Sequence, residues 1–235
     1  MSEAKYFNMH EHQEQEVEIS EDALIARYLK LYAGTISDVL DGLGYKNQVL
    51  PKELTGLTSD AKFCGTALTV AGEATDIADP DTIFIPILEM LGDVKKNNVV
   101  ITQPNDDTCS HLGELSATTI QVRGGNGAVI YGGVRDVDYI HRLGLPVYKR
   151  YTTPKDVVGR WLLTAYNVPI DIKNVKIFPM DIIFADKDGV VVVPRDLAIK
   201  VLLKSEELQY TENHVRNDVM KGVHPVTAYK RHGWF

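Results

Sequence analysis

A guanidinium and two carboxylates are spaced in this sequence in a way that suggests chemistry. Arg135 and Asp136 directly follow the apolar run "GAVIYGG", and Glu114 precedes Arg135 with 20 residues between them. Carboxylates are the hard oxygen ligands that Mg²⁺ and Mn²⁺ prefer, and so small a set leaves room for waters or substrate oxygens. Arginine binds a carboxylate through two parallel hydrogen bonds. The set therefore predicts a site for a 2-oxo acid, with Arg135 on its carboxylate and a divalent metal on its oxygens.

The stretch "GELS" adds backbone donors to this set. It follows a polar loop and begins a predicted helix. The first N–H groups of a helix have no partner within the helix and favour an anion. With Arg135 they would stabilise an enolate, the anion left when a bond beside a carbonyl breaks. The residues expected to contribute to substrate binding in this way are Gly113, Glu114, Leu115 and Ser116.

The elements that would hold these residues alternate between strand and helix. This β-α-β succession predicts an α/β fold whose mixed sheet has a parallel core with right-handed crossovers. Because the carboxyl ends of parallel strands meet at one edge of a sheet, we expect Glu114, Arg135 and Asp136 on the same rim. The predicted elements are strands at 65–72, 98–102, 127–133 and 146–151 and helices at 80–92, 113–124 and 135–144.

Further elements flank this core. Ser20 caps a predicted amphipathic helix that Gly34 ends, and "TISDVLDGLG" predicts a second short helix. Short β-rich runs separated by turns predict an antiparallel section over 165–194, followed by a closing helix. Residues 1–19 are polar and acidic and predict an N-terminal arm, which leaves 20–235 as a single domain.

Composition excludes several classes of function. The net charge of −7, without a basic cluster, argues against nucleic-acid binding. The sequence lacks a run of about 18 apolar residues, so no membrane span is expected. Cys64 and Cys109 do not form a C-x-x-C pattern, which fits a reducing compartment better than a disulfide framework. We therefore expect a soluble cytoplasmic protein that acts on a small molecule.

At these residues the sequence resembles a known family. The spacing from Glu114 to Arg135-Asp136 is similar to the D/E-x20-R-D signature of the class II pyruvate aldolases, and the same fold family includes the regulator of ribonuclease E activity A. The resemblance extends over most of the chain, through "SDVLDGLG", "CGTALTV", "GGVRD" and "ADKDGVVVVP". It implies an α/β/β/α sandwich similar to the swivelling domain of phosphohistidine enzymes, assembled as a homotrimer or homohexamer with sites near the subunit boundaries.

The resemblance also implies roles for the three side chains. Arg135 would bind the pyruvoyl carboxylate, Asp136 would hold Mg²⁺ or Mn²⁺ directly, and Glu114 would act through a metal-bound water or assist proton transfer. The implied reaction is a retro-aldol cleavage of a 4-hydroxy-2-oxo acid, such as 4-hydroxy-4-methyl-2-oxoglutarate, that releases pyruvate. Decarboxylation of oxaloacetate is an expected companion activity, because it passes through the same enolate.

Other readings of these residues stay open at the level of sequence. Arg135 and Asp136 also suit a surface ion pair at a helix start. A non-catalytic regulator that binds a ribonuclease needs neither carboxylate nor metal, and a Schiff-base aldolase would need a buried lysine, for which Lys149 is the candidate. Four further residues could contact a metal, a ligand or another subunit, but a solvated or loop position is the preferred interpretation for each: His10, His12, Asp38 and His111.

Overall fold

The computed structural model describes residues 18–58 and 61–235 of a mixed α/β protein. The predicted arm lies outside this range except for its last residues, as do His10 and His12. The helices are α1 Glu21–Tyr28, α2 Ala33–Gly42, α3 Pro80–Gly92, α4 Glu114–Val122, α5 Val137–Leu143, α6 Ala198–Met220 and α7 Pro225–His232. The strands are β1 Thr55–Gly56, β2 Phe63–Ala74, β3 Asn98–Gln103, β4 Ser110–Leu112, β5 Gly127–Val134, β6 Val147–Thr152, β7 Trp161–Tyr166, β8 Ile170–Ile172, β9 Val175–Ile177, β10 Ile182–Asp186 and β11 Gly189–Val193.

The predicted parallel core is confirmed. Within the described residues nine strands form one sheet in the order β1-β6-β5-β3-β2-β10-β11, with β4 beside β5 and β7 beside β2. The pairs β2-β3, β3-β5 and β5-β6 are parallel. The later strands β10 and β11 form an antiparallel hairpin, as does the separate pair β8-β9, in agreement with the antiparallel section predicted for that region.

Alternating strand residues divide the core into layers. In β3, Val100 packs under α3, α4 and α5, whereas Val99 and Ile101 face an interior made of strand and loop residues. In β10, Phe184 packs under α1, α2 and α6, whereas Ile183 faces the same interior. Helices therefore cover the curved sheet on two outer sides, which gives the expected α/β/β/α order.

A short segment joins the two edges of this sheet. The Leu50 N–H donates to the carbonyl of Val190 in β11 at 2.9 Å. A few residues later Thr55 pairs with Lys149 of β6. The sheet is thus nearly closed around its interior, because this segment links its two edges.

The start of the chain differs from the prediction. The predicted helix from Ser20 to Gly34 is wrong in extent, since α1 ends at Tyr28 and Gly34 lies inside α2. The cause is a distant side chain: Asp186 at the end of β10 accepts a hydrogen bond from the Ala33 N–H at 2.8 Å and so caps α2. A carboxylate at a helix N-terminus satisfies a free donor and the helix dipole together.

Proline and capping residues set α3 where the sequence predicts it. Asp79 accepts a hydrogen bond from the Thr82 N–H at 3.0 Å, and Pro80 occupies the first turn, where its missing N–H costs nothing. The helix continues through Pro86 to Gly92. Among the described helices none has the length and apolar character that crossing a bilayer requires.

Candidate functional site

The topology places Glu114 beside Arg135 and Asp136 at the ends of two adjacent strands. Strand β4 pairs with the end of β5, and the Arg135 N–H donates to the Leu112 carbonyl at 2.9 Å. Gly113 follows β4 directly, and α4 begins at Glu114. The chain segments that carry the predicted residues therefore meet on one rim of the sheet.

Asp136 turns its carboxylate back toward the start of α4. Its Oδ2 accepts the Glu114 N–H at 3.0 Å and lies 3.6 Å from Arg135 Nε. The backbone of Asp136 is left-handed, with φ 57° and ψ 37°, a region that aspartate tolerates better than most residues. Such a conformation away from glycine is a local strain of the kind found at binding and catalytic sites.

Gly113 contributes space at this point. A Cβ at Gly113 would lie 2.8 Å from Asp136 Oδ2 and 3.1 Å from Arg135 Nε. Its backbone φ of −125° is ordinary for any residue, so the constraint on position 113 comes from crowding. An alanine there would push directly against the carboxylate and the guanidinium.

Arg135 has a second acidic partner that the sequence does not indicate. Its Nη1 donates to Asp156 Oδ1 at 2.9 Å, and both side chains are partly exposed. A cleft of about 310 Å³ opens beside this pair, of the size that holds a small organic acid. The cleft is lined by Val134, Arg135, Asp136, Val137, Thr152, Thr153 and Pro154.

Glu114 makes its contact through the backbone. Its N–H is the group that meets Asp136, in the first turn of α4 where Leu115 and Ser116 follow. The start of α4 is thus joined to the site through its first amide.

Asp106, Cys109 and His111 form a buried cluster behind the cleft. One ligand atom of each lies within 4.8 Å of the others, which is close enough for a metal. Gly133 N–H, however, donates to His111 Nδ1 at 3.1 Å, so the ring proton sits on Nε2, 3.1 Å from Asp106 Oδ2. A metal on Nε2 would require that proton to leave while Nδ1 still faces a donor. The hydrogen bonds therefore fit a structural role better than a metal site.

Burial keeps this cluster in its neutral thiol and imidazole forms. Burial lowers the pKa of His111 to about 4, and only in part is this opposed by Asp106. Burial and then the hydrogen bond to Asp106 raise the pKa of the Cys109 thiol to about 12. The His111 ring also packs edge-on against Trp161, with ring centres 5.1 Å apart. His111 is thus a buried residue of β4 that hydrogen-bonds to the end of β5 and contacts Asp106 of the preceding loop, and not a solvated loop residue.

Two other candidate residues lie away from the cleft. Lys149 Nζ donates to Thr55 Oγ1 at 2.8 Å on the exposed edge of the sheet, in a setting unlike the buried lysine of a Schiff-base enzyme. Asp38 borders a second cavity of about 450 Å³ beside α6, on the helix layer formed by α1, α2 and α6. Burial and then the neighbouring Asp41 raise the pKa of the Asp38 carboxyl.

The chain is similar to a known protein family, to a relative of comparable length and to a solved structure. The sequence model of the RraA-like family, described as Aldolase/RraA, matches residues 33–192. The chain is 27% identical over 210 residues to a Halalkalibacterium halodurans protein named "Putative 4-hydroxy-4-methyl-2-oxoglutarate aldolase", covering 87% of this chain and 92% of that protein. It is 26% identical to the crystal structure of Streptomyces coelicolor RraAS2, described as an unusual member of the RNase ES inhibitor RraA family, with a TM-score of 0.75 and coverage of 85% and 98%.

A further relative is much longer than this chain. Protein DlpA of Legionella pneumophila is 28% identical over 200 residues, which is 85% of this chain and 32% of DlpA. The chain thus spans about a third of that relative.

Proposed function

The chain belongs to the RraA-like family of aldolases and RraA proteins, and we propose that it is a divalent-metal-dependent lyase. The reaction is cleavage of a C–C bond in a 4-hydroxy-2-oxo acid to release pyruvate, with decarboxylation of oxaloacetate as a companion activity. Residues 20–235 act as a single domain. One observation carries the proposal: Asp136 lies between Arg135 and the first amide of α4, beside a cleft of about 310 Å³.

The donor set fits a hard cation such as Mg²⁺ or Mn²⁺. The Asp136 side chain is 41% exposed, and the missing Cβ of Gly113 keeps the space beside it open. Asp136 would hold the ion directly and Glu114 through a water, because sites with one or two carboxylates keep several waters. When bound, the ion would draw electrons from the 2-oxo group and so ease breakage of the C3–C4 bond.

The residues of the chain supply binding, orientation and proton transfer. Arg135 binds the substrate carboxylate with charge-assisted hydrogen bonds. The Leu115 and Ser116 amides, which follow the Glu114 N–H that Asp136 accepts, would face the negative charge that develops on the enolate, where fixed donors lower the barrier most. A water beside Glu114 takes the proton of the C4 hydroxyl, the C3–C4 bond breaks to leave a carbonyl at C4, and a proton returns to C3 to give pyruvate.

Assembly of several copies is part of the proposal. Helix α3 exposes Phe84, Ile85 and Leu88, the last at 62%, and α4 exposes Leu115 at 77%. Large apolar side chains on one side of a protein mark a contact surface. A homotrimer or homohexamer would cover them and bring a neighbouring subunit close to the cleft, since Leu115 lies in the first turn of α4. The two cysteines are free and buried, in keeping with a cytoplasmic location.

The similarity to RraAS2 supports a second candidate function, that of a ribonuclease regulator. That protein is described as a member of an RNase ES inhibitor family, and a regulator of this kind would use a surface and no metal. The net charge of −7 permits a basic partner surface and argues against direct nucleic-acid binding. The retained Asp136 and Glu114 favour the lyase.

Pyruvate release, coupled to lactate dehydrogenase, tests the lyase. The substrates are 4-hydroxy-4-methyl-2-oxoglutarate and oxaloacetate, each with Mg²⁺, Mn²⁺ or EDTA. We expect metal-dependent turnover that falls by about 100-fold or more in Arg135→Ala and Asp136→Asn, as for loss of one fixed charge-stabilising group. Asparagine tolerates the left-handed backbone and keeps an oxygen for the Glu114 N–H, so the change isolates the charge.

Lys149→Ala is the matched control, because it removes a charge from the same domain away from the cleft. It should turn over substrate at the wild-type rate, and a loss of activity there would revive the Schiff-base mechanism. Turnover that survives EDTA would contradict the role given to Asp136. Absence of turnover with both substrates and every metal would contradict the lyase, and inhibition of a purified ribonuclease E would then support the regulator.

A further inference from the structure

Asp156 is the acidic residue in contact with Arg135 for which the proposed reaction has given no role. It lies in the segment that connects β6 to β7, and its Oδ1 accepts a hydrogen bond from Arg135 Nη1 at 2.9 Å. Its side chain is 39% exposed and the Arg135 side chain is 36% exposed. Arg135 lines the cleft, and Asp156 contacts its guanidinium from the segment that directly follows the lining residues Thr152, Thr153 and Pro154.

The backbone that carries Asp156 is held in place. The Ser110 N–H donates to the Lys155 carbonyl at 3.0 Å, which ties the segment to β4. The Arg160 guanidinium donates to the carbonyl of Asp156 itself at 3.0 Å. The next residue, Val157, is buried in the core beneath α3, α4 and α5. Asp156 thus presents its carboxylate from a fixed position, as an anchor must.

Arginine needs such an anchor to bind a carboxylate in one orientation. Its long side chain loses rotamer entropy on binding, and its fork binds best when the plane of the guanidinium is already set. With Nη1 bonded to Asp156 and Nε facing Asp136 at 3.6 Å, that plane is defined at two of its three nitrogens.

We propose that Asp156 is a positioning residue that holds the Arg135 guanidinium beside the cleft for the carboxylate of the substrate. The proposal rests on the proposed lyase function, in which Arg135 binds that carboxylate. Asp156 acts through Arg135 and does not touch the reacting carbons. Its loss therefore weakens binding of substrate and leaves the rate of the bound complex largely intact.

Steady-state kinetics with Asp156→Ala and Asp156→Asn separate positioning from a general effect on the fold. Asp156→Ala removes the anchor and should raise KM by about 3- to 10-fold, the worth of one hydrogen bond, with kcat little changed. Asp156→Asn keeps an acceptor oxygen for Nη1 and should restore KM toward the wild-type value. A KM unchanged in Asp156→Ala, or a fall in kcat alone, would overturn the role.

Crystal structures of the wild type and Asp156→Ala provide a readout that does not need activity. We expect the guanidinium of Arg135 to leave its place beside Asp136 in the variant while the backbone of residues 153–160 stays as it is. An unmoved guanidinium overturns the inference. If the wild type turns over neither substrate, the proposed function has failed, and the position of Arg135 in the variant still decides whether Asp156 anchors it.

Discussion

Replacing Gly113 by alanine displaces the side chains of Asp136 and Arg135 without removing either one. It therefore tests whether activity depends on their exact positions. The added Cβ would lie 2.8 Å from Asp136 Oδ2 and 3.1 Å from Arg135 Nε. Carbon and oxygen atoms settle at a longer separation, so the carboxylate must move by about 0.5 Å. Since a shift of about 1 Å at a site can cost roughly 100-fold in rate, about 0.5 Å corresponds to roughly tenfold.

The fold should tolerate this change. The φ of Gly113 is −125°, which alanine adopts without strain. The hydrogen bond from the Glu114 N–H to Asp136 is at risk and is worth about 1 kcal/mol, or about 2–4 °C in Tm for a domain of this size. We therefore expect kcat/KM for the oxo acid to fall about tenfold while thermal unfolding shifts by a few degrees.

Gly34→Ala serves as the matched control for Gly113→Ala. A Cβ at Gly34 would have nothing within 4 Å, and the residue lies in α2, where alanine is favoured over glycine by about 1 kcal/mol. This variant should keep full activity with an equal or higher Tm. A normally folded Gly113→Ala that retains kcat/KM within about twofold of the wild type would show that the packing of Asp136 and Arg135 against Gly113 does not limit activity.

Two further predictions concern buried polar groups. His111 has a folded pKa of about 4 against an ordinary value of 6.5, so the unfolded chain binds its proton first and stability falls as pH drops from 6.5 to 4, by about 3 kcal/mol. His111→Asn should flatten this part of the pH dependence in urea unfolding, and an unchanged slope would contradict it. The Ser205 hydroxyl is fully buried without a hydrogen-bond partner among the described residues. Ser205→Ala should therefore raise the free energy of unfolding by about 1 kcal/mol, and a decrease would show a hidden partner.

Much of the central fold could be predicted from the sequence, because it depends on local patterns. Apolar runs such as "NVVIT" and "GAVIYGG" are buried on both faces as parallel strands, and the strand and helix order alone fixes right-handed crossovers. Pro80 located the start of α3, because proline is favoured in the first turn of a helix. The carboxyl ends of β3 and β5 were then expected to share a rim, whereas β4 falls in a segment that the sequence predicted as a polar loop.

The antiparallel and N-terminal regions were harder to predict from the sequence. Strand β7 falls in the segment "WLLTAY", between predicted elements, and pairs with β2 across a bulge between Ala71 and Gly72. Its position depends on a partner that lies about ninety residues earlier, which no local pattern records. The division of the first helix likewise follows from Asp186, more than a hundred residues away.

The amino-acid sequence by itself determined the types of residue at the site and the rim on which they meet. Glu114, Arg135 and Asp136 follow strands that neighbour each other, and a parallel sheet brings such positions together. The spacing from Glu114 to Arg135 and Asp136 also indicated the family.

Only the tertiary structure decided which atoms make contact. The chain has 32 acidic residues, and nothing near Asp156 in sequence distinguishes it as the partner of Arg135. The crowding around Gly113 and the burial of His111 are likewise visible only once distant segments have packed. Local preferences act over a turn or a strand, whereas a site is defined by separations of a few ångströms between segments that the whole fold must bring together.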